Sequence, residues 1–398
     1  MRDRICSTFL TTNIELKKLK LHTADKHGKS KCVKLHVGGK TGFCPTLKVH
    51  GTKMPEVTEE TYLGDILSAD GKNAKNIKNR VSKGIGIIAR IMHILEEVSF
   101  GPHFYKIAML LRESMLINGM TTNAEIWYNF TGRDAQEFEN IDKLYFRRLL
   151  RVPKSTPTES LYLEMGAVPI SIIIQSRRIN YLQSILKSDK KGMLYTFFKT
   201  QWFNPSKGDW TEQVKVDLQE FGIQADFEFI SRKSKETLKK IVKAKARELA
   251  LKVLLKKKDL HSKMTNLDYN ELKIQDYFLR EDFKIEQKRI LFKHRTRMAE
   301  YGENFRAGRD TILCPLCKLH PDSQEMGFRC PDIASNVEVR GNINDIYSDN
   351  TALETIETIE RISEYRKQKN EDKYSNKYGP CDTVFTLKPS AALSPCSM

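Results

Sequence analysis

No stretch of this 398-residue sequence is apolar enough to cross a bilayer. The longest, 167–174, falls far short of the roughly 20 residues that a spanning helix needs. No apolar signal-peptide core follows Met1-Arg2-Asp3-Arg4. The expectation is a soluble intracellular protein of the nucleus or cytoplasm, without a membrane partner. There is no Asp-Asp pair for two-metal chemistry. The acidic pairs that do occur (Glu59-Glu60, Glu96-Glu97, Glu281-Asp282, Glu371-Asp372) fall in or beside helical or polar segments. No G-x-x-x-x-G-K-[ST] phosphate loop occurs; Gly38-Gly39-Lys40-Thr41-Gly42 shares its ending but reads as a hairpin. No Ser/His/Asp set can be assembled, so no catalytic residue is assigned. The eight cysteines are too thinly spread for a disulfide framework, and only Cys314, Cys317 and Cys330 cluster.

What is abundant is positive charge. Lys and Arg number 67 against 50 Asp and Glu, a formal +17, so the expected partner is a polyanion. Arg232 to Lys263 alone holds 13 Lys and Arg against Glu236, Glu248 and Asp259, a net +10. The spacing predicts a helix over about 234–258, with Leu238, Val242, Ala246, Leu249 and Val253 on its inner face. A solvated helix face is the ordinary meaning of such a run. Solvated faces usually mix signs, however, whereas one-sided ones bind phosphates. The expected nucleic-acid contacts are Lys239, Lys240, Lys243, Lys245, Arg247, Lys252, Lys256 and Lys257. A second basic stretch, Lys284 to Arg309, adds Lys288, Arg289, Lys293, Arg295, Arg297 and Arg306. Acidic lipid fits less well, because the inner face carries no Trp or Phe anchor.

The fold class reads as mainly α. Residues 1–67 carry short strands (Val33–Val37, Thr46–Val49, Thr61–Leu63) between glycines. From 68 to 200 helical periods take over. A helix over about 73–97 has Ile77, Val81, Ile85, Ile88, Met92 and Leu95 inward, and a buried helix covers Phe104 to Asn118. A capping box at Thr131 to Asp134 opens a third helix, with Phe138, Ile141, Leu144, Tyr145 and Leu149 inward. Thr156 to Glu159 opens a fourth, with Pro157 as first helical residue and Gly166 as its C-terminal cap; a fifth starts at Pro169. The turn-rich Asn204 to Asp209 marks a boundary before a basic helical region, 201–310. A knuckle at 311–332 and a polar helix with a disordered tail, 333–398, complete the order.

In the knuckle, Cys314-Pro315-Leu316-Cys317 presents two thiolates within reach of one zinc ion; Cys330 and His320 complete a tetrahedral set. Two cysteines sharing a loop without metal is the plainer alternative.

Several strings in this order resemble the reverse transcriptases of non-LTR (LINE-type) retrotransposons. Tyr62-Leu63-Gly64-Asp65 lies between Lys48-Val49-His50-Gly51 and Ser68-Ala69-Asp70-Gly71. After it come Leu111 to Asn118, Glu125-Ile126-Trp127-Tyr128, Ser160 to Ala167, Cys314 to Cys317 and Asp322-Ser323-Gln324-Glu325. The likeness covers about residues 15–370. It implies a mainly α fold: a β-hairpin remnant of the palm with a primer grip at Tyr62, Leu63 and Gly64, then a helical thumb. It further implies that Lys29 or Lys31, in Gly28 to Cys32, lies near the incoming nucleotide, and that template and primer, RNA and DNA, are the partners. The family's catalytic aspartates lie upstream of the matching segment, so the chain is expected to be inactive as a polymerase alone. Magnesium would belong to the full-length enzyme, whose palm and fingers are a further possible partner. Related elements carry a His where this chain has Met326, a poor zinc ligand. Either His320 substitutes with altered geometry or the zinc site has decayed. A helical protein-interaction module without nucleic-acid function is the competing reading.

Overall fold

The computed structural model describes residues 32–33, 48–49, 52–53, 55–62, 64–69, 73–97, 101–127, 130–204, 208–305, 312–348 and 351–378. Lys29, Lys31, Leu63 and Arg306 lie outside these residues, and Tyr62 is described in its backbone alone. The chain forms two compact units, 1–261 with 268–275, and 262–267 with 276–398. The basic helix lies in the same unit as the helical bundle. Aromatic contacts join the helices here: Trp202 meets Phe227 at 4.6 Å between ring centroids, and Phe198 meets Trp210 at 6.5 Å.

The strands come first and are short: β1 Cys32–Val33, β2 Lys48–Val49, β3 Thr52–Lys53, β4 Glu56–Val57, β5 Glu59–Tyr62 and β6 Asp65–Ser68. They pair two by two, β1 with β4 in parallel, β2 with β3 and β5 with β6 antiparallel. Tyr62 opposes Asp65 in the last pair, and Gly64 takes φ +87° in the tight connection, a conformation that favours glycine. Asp65 fastens this hairpin to the helices. It is buried and accepts hydrogen bonds from Asn76 Nδ2 (2.9 Å), Arg80 Nη2 (2.8 Å) and Asn123 Nδ2 (2.5 Å). Burial works to raise this carboxyl, and the bonds from Arg80, Asn123 and Asn76 outweigh it, so Asp65 sits below the usual carboxylate range.

Helix α1, Ala74–Glu97, buries Ile77, Ile88, Ile91 and Leu95 but leaves Ile85 half in water. Next, α2 (Phe104–Leu111) runs through a π-helical turn, Arg112–Ile117, into α3 (Asn118–Thr121). Helix α4, Gly132–Leu150, starts on the expected capping box, with Asp134 N–H donating to Thr131 Oγ1 and Thr131 N–H donating to Asp134 Oδ2. Helix α5, Thr158–Glu164, differs from expectation at its start. Pro157 is the cap residue rather than the first helical one, and Thr156 caps nothing. Its far end is as expected: Gly166 has φ +60°, and a Cβ there would lie 2.2 Å from Ile274 N.

Helix α6, Ile170–Leu186, is the bundle's hub, followed by α7 (Met193–Phe203), α8 (Trp210–Glu220), α9 (Phe227–Arg232) and α10 (Lys235–Lys258). Each fully buried Leu, Ile or Phe of this core contributes about 1.5–3 kcal/mol relative to exposure. In the second unit, α11 (Asp276–Leu279) and α12 (Ile285–Arg295) precede the cysteine loop, α13 (Gln324–Gly327) and α14 (Pro331–Asn336). Helix α15, Leu353–Tyr378, packs on α12. Among the described residues no helix is long and apolar enough to cross a membrane.

Candidate nucleic-acid interface and metal centre

Helix α10 is shaped by a stripe at every fourth residue. Leu238, Val242, Ala246, Ala250 and Leu254 are buried, and the helix packs along α6 and α5. The expected inner residues Leu249 and Val253 are only half-buried, because each four-residue step advances the buried stripe by about 40° around the helix and carries it through Ala250 and Leu254 instead. Ser234 caps the start by accepting from Thr237 N–H at 3.1 Å. Lys256, Lys257 and Lys258 lie in the last turn, where the helix dipole favours cations.

This burial pattern leaves the charge outside. Lys239, Lys240, Lys243, Arg247, Lys252, Lys256 and Lys257 are exposed, and none makes an ion pair among the described residues. Lys245 is half-buried and pairs with Glu248 at 2.9 Å. Lys258 is buried, with Asp268 at 4.0 Å.

The second basic stretch is a correction. Arg289 and Arg295 are 7% and 3% exposed, so neither offers a surface charge. Arg289 pairs with Glu286; Arg295 donates to Ile346 O at 2.6 Å and lies over the Tyr277 ring. Arg297 is half-buried and held by Glu325 at 2.6 Å. These guanidiniums serve the packing of the second unit, where α12 is enclosed. Buried Lys288 belongs to the same interior.

The cysteine loop folds as a tight hairpin. Leu313 bridges Pro321, Cys314 N–H donates to His320 O at 2.8 Å, and Lys318 turns the chain with φ +57°. Cys330 caps α14, with Pro331 behind it in the first turn. The three Sγ atoms lie within 4.8 Å of one another, and Cys314 to Cys330 is 3.9 Å. A tetrahedral zinc with bonds near 2.3 Å needs sulfur atoms about 3.8 Å apart, so the three thiols fit three of its corners. Ile333 and Ile362 pack against Cys314 and Cys330, and Leu316 and Phe328 flank them.

His320 is the second correction, since its ring is not among the atoms that converge. Its backbone is what the loop uses: the carbonyl accepts from Cys314. Backbone hydrogen bonds from Leu319, and more weakly from His320, hold the Cys317 thiol below its usual range against the opposing effect of burial. Burial pushes Cys330 up to about 11. Met326 sits in the first turn of α13 with its N–H on Ser323 Oγ.

Two features gave no sequence signal. Arg112, in the π turn, meets Asp142 of α4, and Tyr162 donates to the same carboxylate at 3.0 Å. Arg177 of α6 donates to Thr121 O at 2.7 Å and Asn118 Oδ1 at 2.6 Å, which plants a cation beside α10's flank. Both partnerships join residues at least 20 apart in the chain, chosen by packing rather than by spacing. The chain matches no protein-family model, no curated protein and no solved structure.

Proposed function

We propose that this chain binds nucleic acid, chiefly through phosphate contacts made by α10, as the thumb-side part of a reverse transcriptase of the non-LTR type. One observation carries the reading: seven exposed cations on one helix have no ion-pair partner among the described residues. Phosphate neutralisation supplies most of the sequence-independent affinity for RNA or DNA. On the same reading Tyr62, Leu63 and Gly64 form the primer grip, and Lys29 or Lys31 lies towards the nucleotide. Asp65, next in that motif, joins the hairpin to the helices that would hold a duplex. Polymerisation needs magnesium-binding aspartates from elsewhere. Nucleotide incorporation by the purified chain with magnesium or manganese would contradict this.

The thiols of Cys314, Cys317 and Cys330 are proposed to hold zinc, whose chemistry there is structural: it ties the hairpin to α14. This reading leaves the His320 ring out of the ligand set, because it does not converge with the three thiols.

The test of the main reading is a charge reversal. Replacing Lys239, Lys240, Lys243 and Lys245 by Glu should abolish binding to an RNA–DNA hybrid while the melting temperature stays close to that of the wild type. Undiminished binding favours the other reading, a protein-interaction bundle. That alternative draws on the exposed Met193, Leu194, Phe197 and Phe203 of α7.

A further inference from the structure

Within the first unit, the π turn, the middle of α6 and the N-terminal half of α10 enclose an open cleft of about 530 Å³. That is within the size range of small-ligand pockets, roughly 300–1,000 Å³. Its lining joins aliphatic side chains, among them Leu110, Val168 and Ile173, to the cations Arg177, Lys239, Lys243 and Arg247, against the single carboxylate of Glu113. Leu110 is 62% exposed, an apolar side chain left in water amid four positive charges.

We propose that the cleft takes an unpaired nucleotide of a single-stranded segment, its base against Leu110 and its flanking phosphates on Lys239, Lys243 and Arg247. The inference rests on the nucleic-acid reading of α10 and makes it more specific. The three cations fall at four-residue steps, so they form one row, with a spacing of about 6 Å along the helix. Lys252, Lys256 and Lys257 face a different hollow, beside Glu139, Glu159 and Glu220. The first half of α10 thus sets its cations and apolar neighbours against one carboxylate, whereas the second half faces three.

A stacked duplex keeps its base faces covered and has nothing to place on an aliphatic surface. An unpaired base does, because leaving water for apolar contact is favourable. The walls are fixed in advance. Arg177 is held by Thr121 and Asn118, and Arg112 by Asp142 and the Val168 carbonyl. Preorganised walls reduce the ordering cost of binding. No aromatic ring lines the cleft, so the base packs on aliphatic carbon and on guanidinium planes. The gain per base is then expected at the low end for single-strand sites, on the order of tenfold in affinity.

The experiment compares three fluorescent probes on the full chain: an oligothymidine, an abasic strand of equal length and a blunt duplex. Wild type should bind oligothymidine about tenfold tighter than the abasic strand. Leu110→Gln, an exposed and uncharged change, should erase that preference and leave duplex affinity within about twofold. Equal affinity of wild type for the oligothymidine and the abasic strand, with duplex binding intact, overturns the cleft inference and leaves the α10 reading standing. Failure to bind any of the three probes overturns both. Absence of base preference, together with saturable binding of an acidic amphipathic peptide that Leu110→Gln abolishes, assigns the cleft to a protein partner and also overturns the inference.

Discussion

Arg112 and Asp142 form a two-point ion pair inside the helical unit, Nε to Oδ1 at 2.7 Å and Nη2 to Oδ2 at 2.5 Å. Both side chains are at or below 1% exposure. Removing one member leaves the other charged and dry. Arg112→Met should cost about 3–5 kcal/mol in urea unfolding. Adding Asp142→Leu should recover part of that loss, because the stranded charge is then gone. A double variant less stable than the single one would show that the pair's geometry, not its charge balance, holds the site.

Asp65 makes a separate prediction at the junction of hairpin and bundle. Asp65→Ala frees Arg80, Asn76 and Asn123 at once, and should destabilise the first unit by about 2–4 kcal/mol. Asp65→Asn should cost less. Equal losses would mean that a neutral acceptor of the same shape anchors nothing and that the carboxylate charge does all of it.

The sequence disclosed elements whose cause is local and concealed those whose cause is not. The helix ending at Lys258 was legible to within a residue, because Ser234 caps it and an apolar stripe runs its length. The capping box at Thr131 was equally plain. The fate of Arg289 and Arg295 was not, since a basic residue looks the same whether its partner is water or a carbonyl 51 residues away. His320 stood at a plausible zinc-ligand spacing, yet the turn at Lys318 uses its backbone instead of its ring. The cleft beside Leu110 joins three segments that only the packing of α10 on α6 brings together.

His294 predicts a pH dependence in the second unit. Burial lowers it to about 4, with Lys293 adding to the effect and the Ile290 carbonyl and Glu325 opposing it. The unfolded chain binds this proton near 6.5 and the folded chain near 4. The stability that a neutral His294 contributes is therefore complete above pH 6.5 and is lost as pH falls towards 4, by about 3 kcal/mol in all. The melting temperature should drop between pH 7 and 5, and His294→Gln should flatten that drop. A wild-type drop matched by the variant would assign it to other groups.

The thiol cluster predicts one zinc per chain. Cys330→Ser should lower zinc content and the melting temperature of the second unit, and a chelator should do the same to wild type. His320→Ala should retain the metal. Zinc lost from His320→Ala but kept by Cys330→Ser would reverse the ligand assignment.

The central claim is that α10 binds phosphates. Its most direct measure is the salt dependence of affinity for an RNA–DNA hybrid between 50 and 200 mM. Release of counterions from about six phosphates predicts a log–log slope near −5, a loss of roughly a thousandfold across that range. A loss smaller than about threefold would contradict the claim.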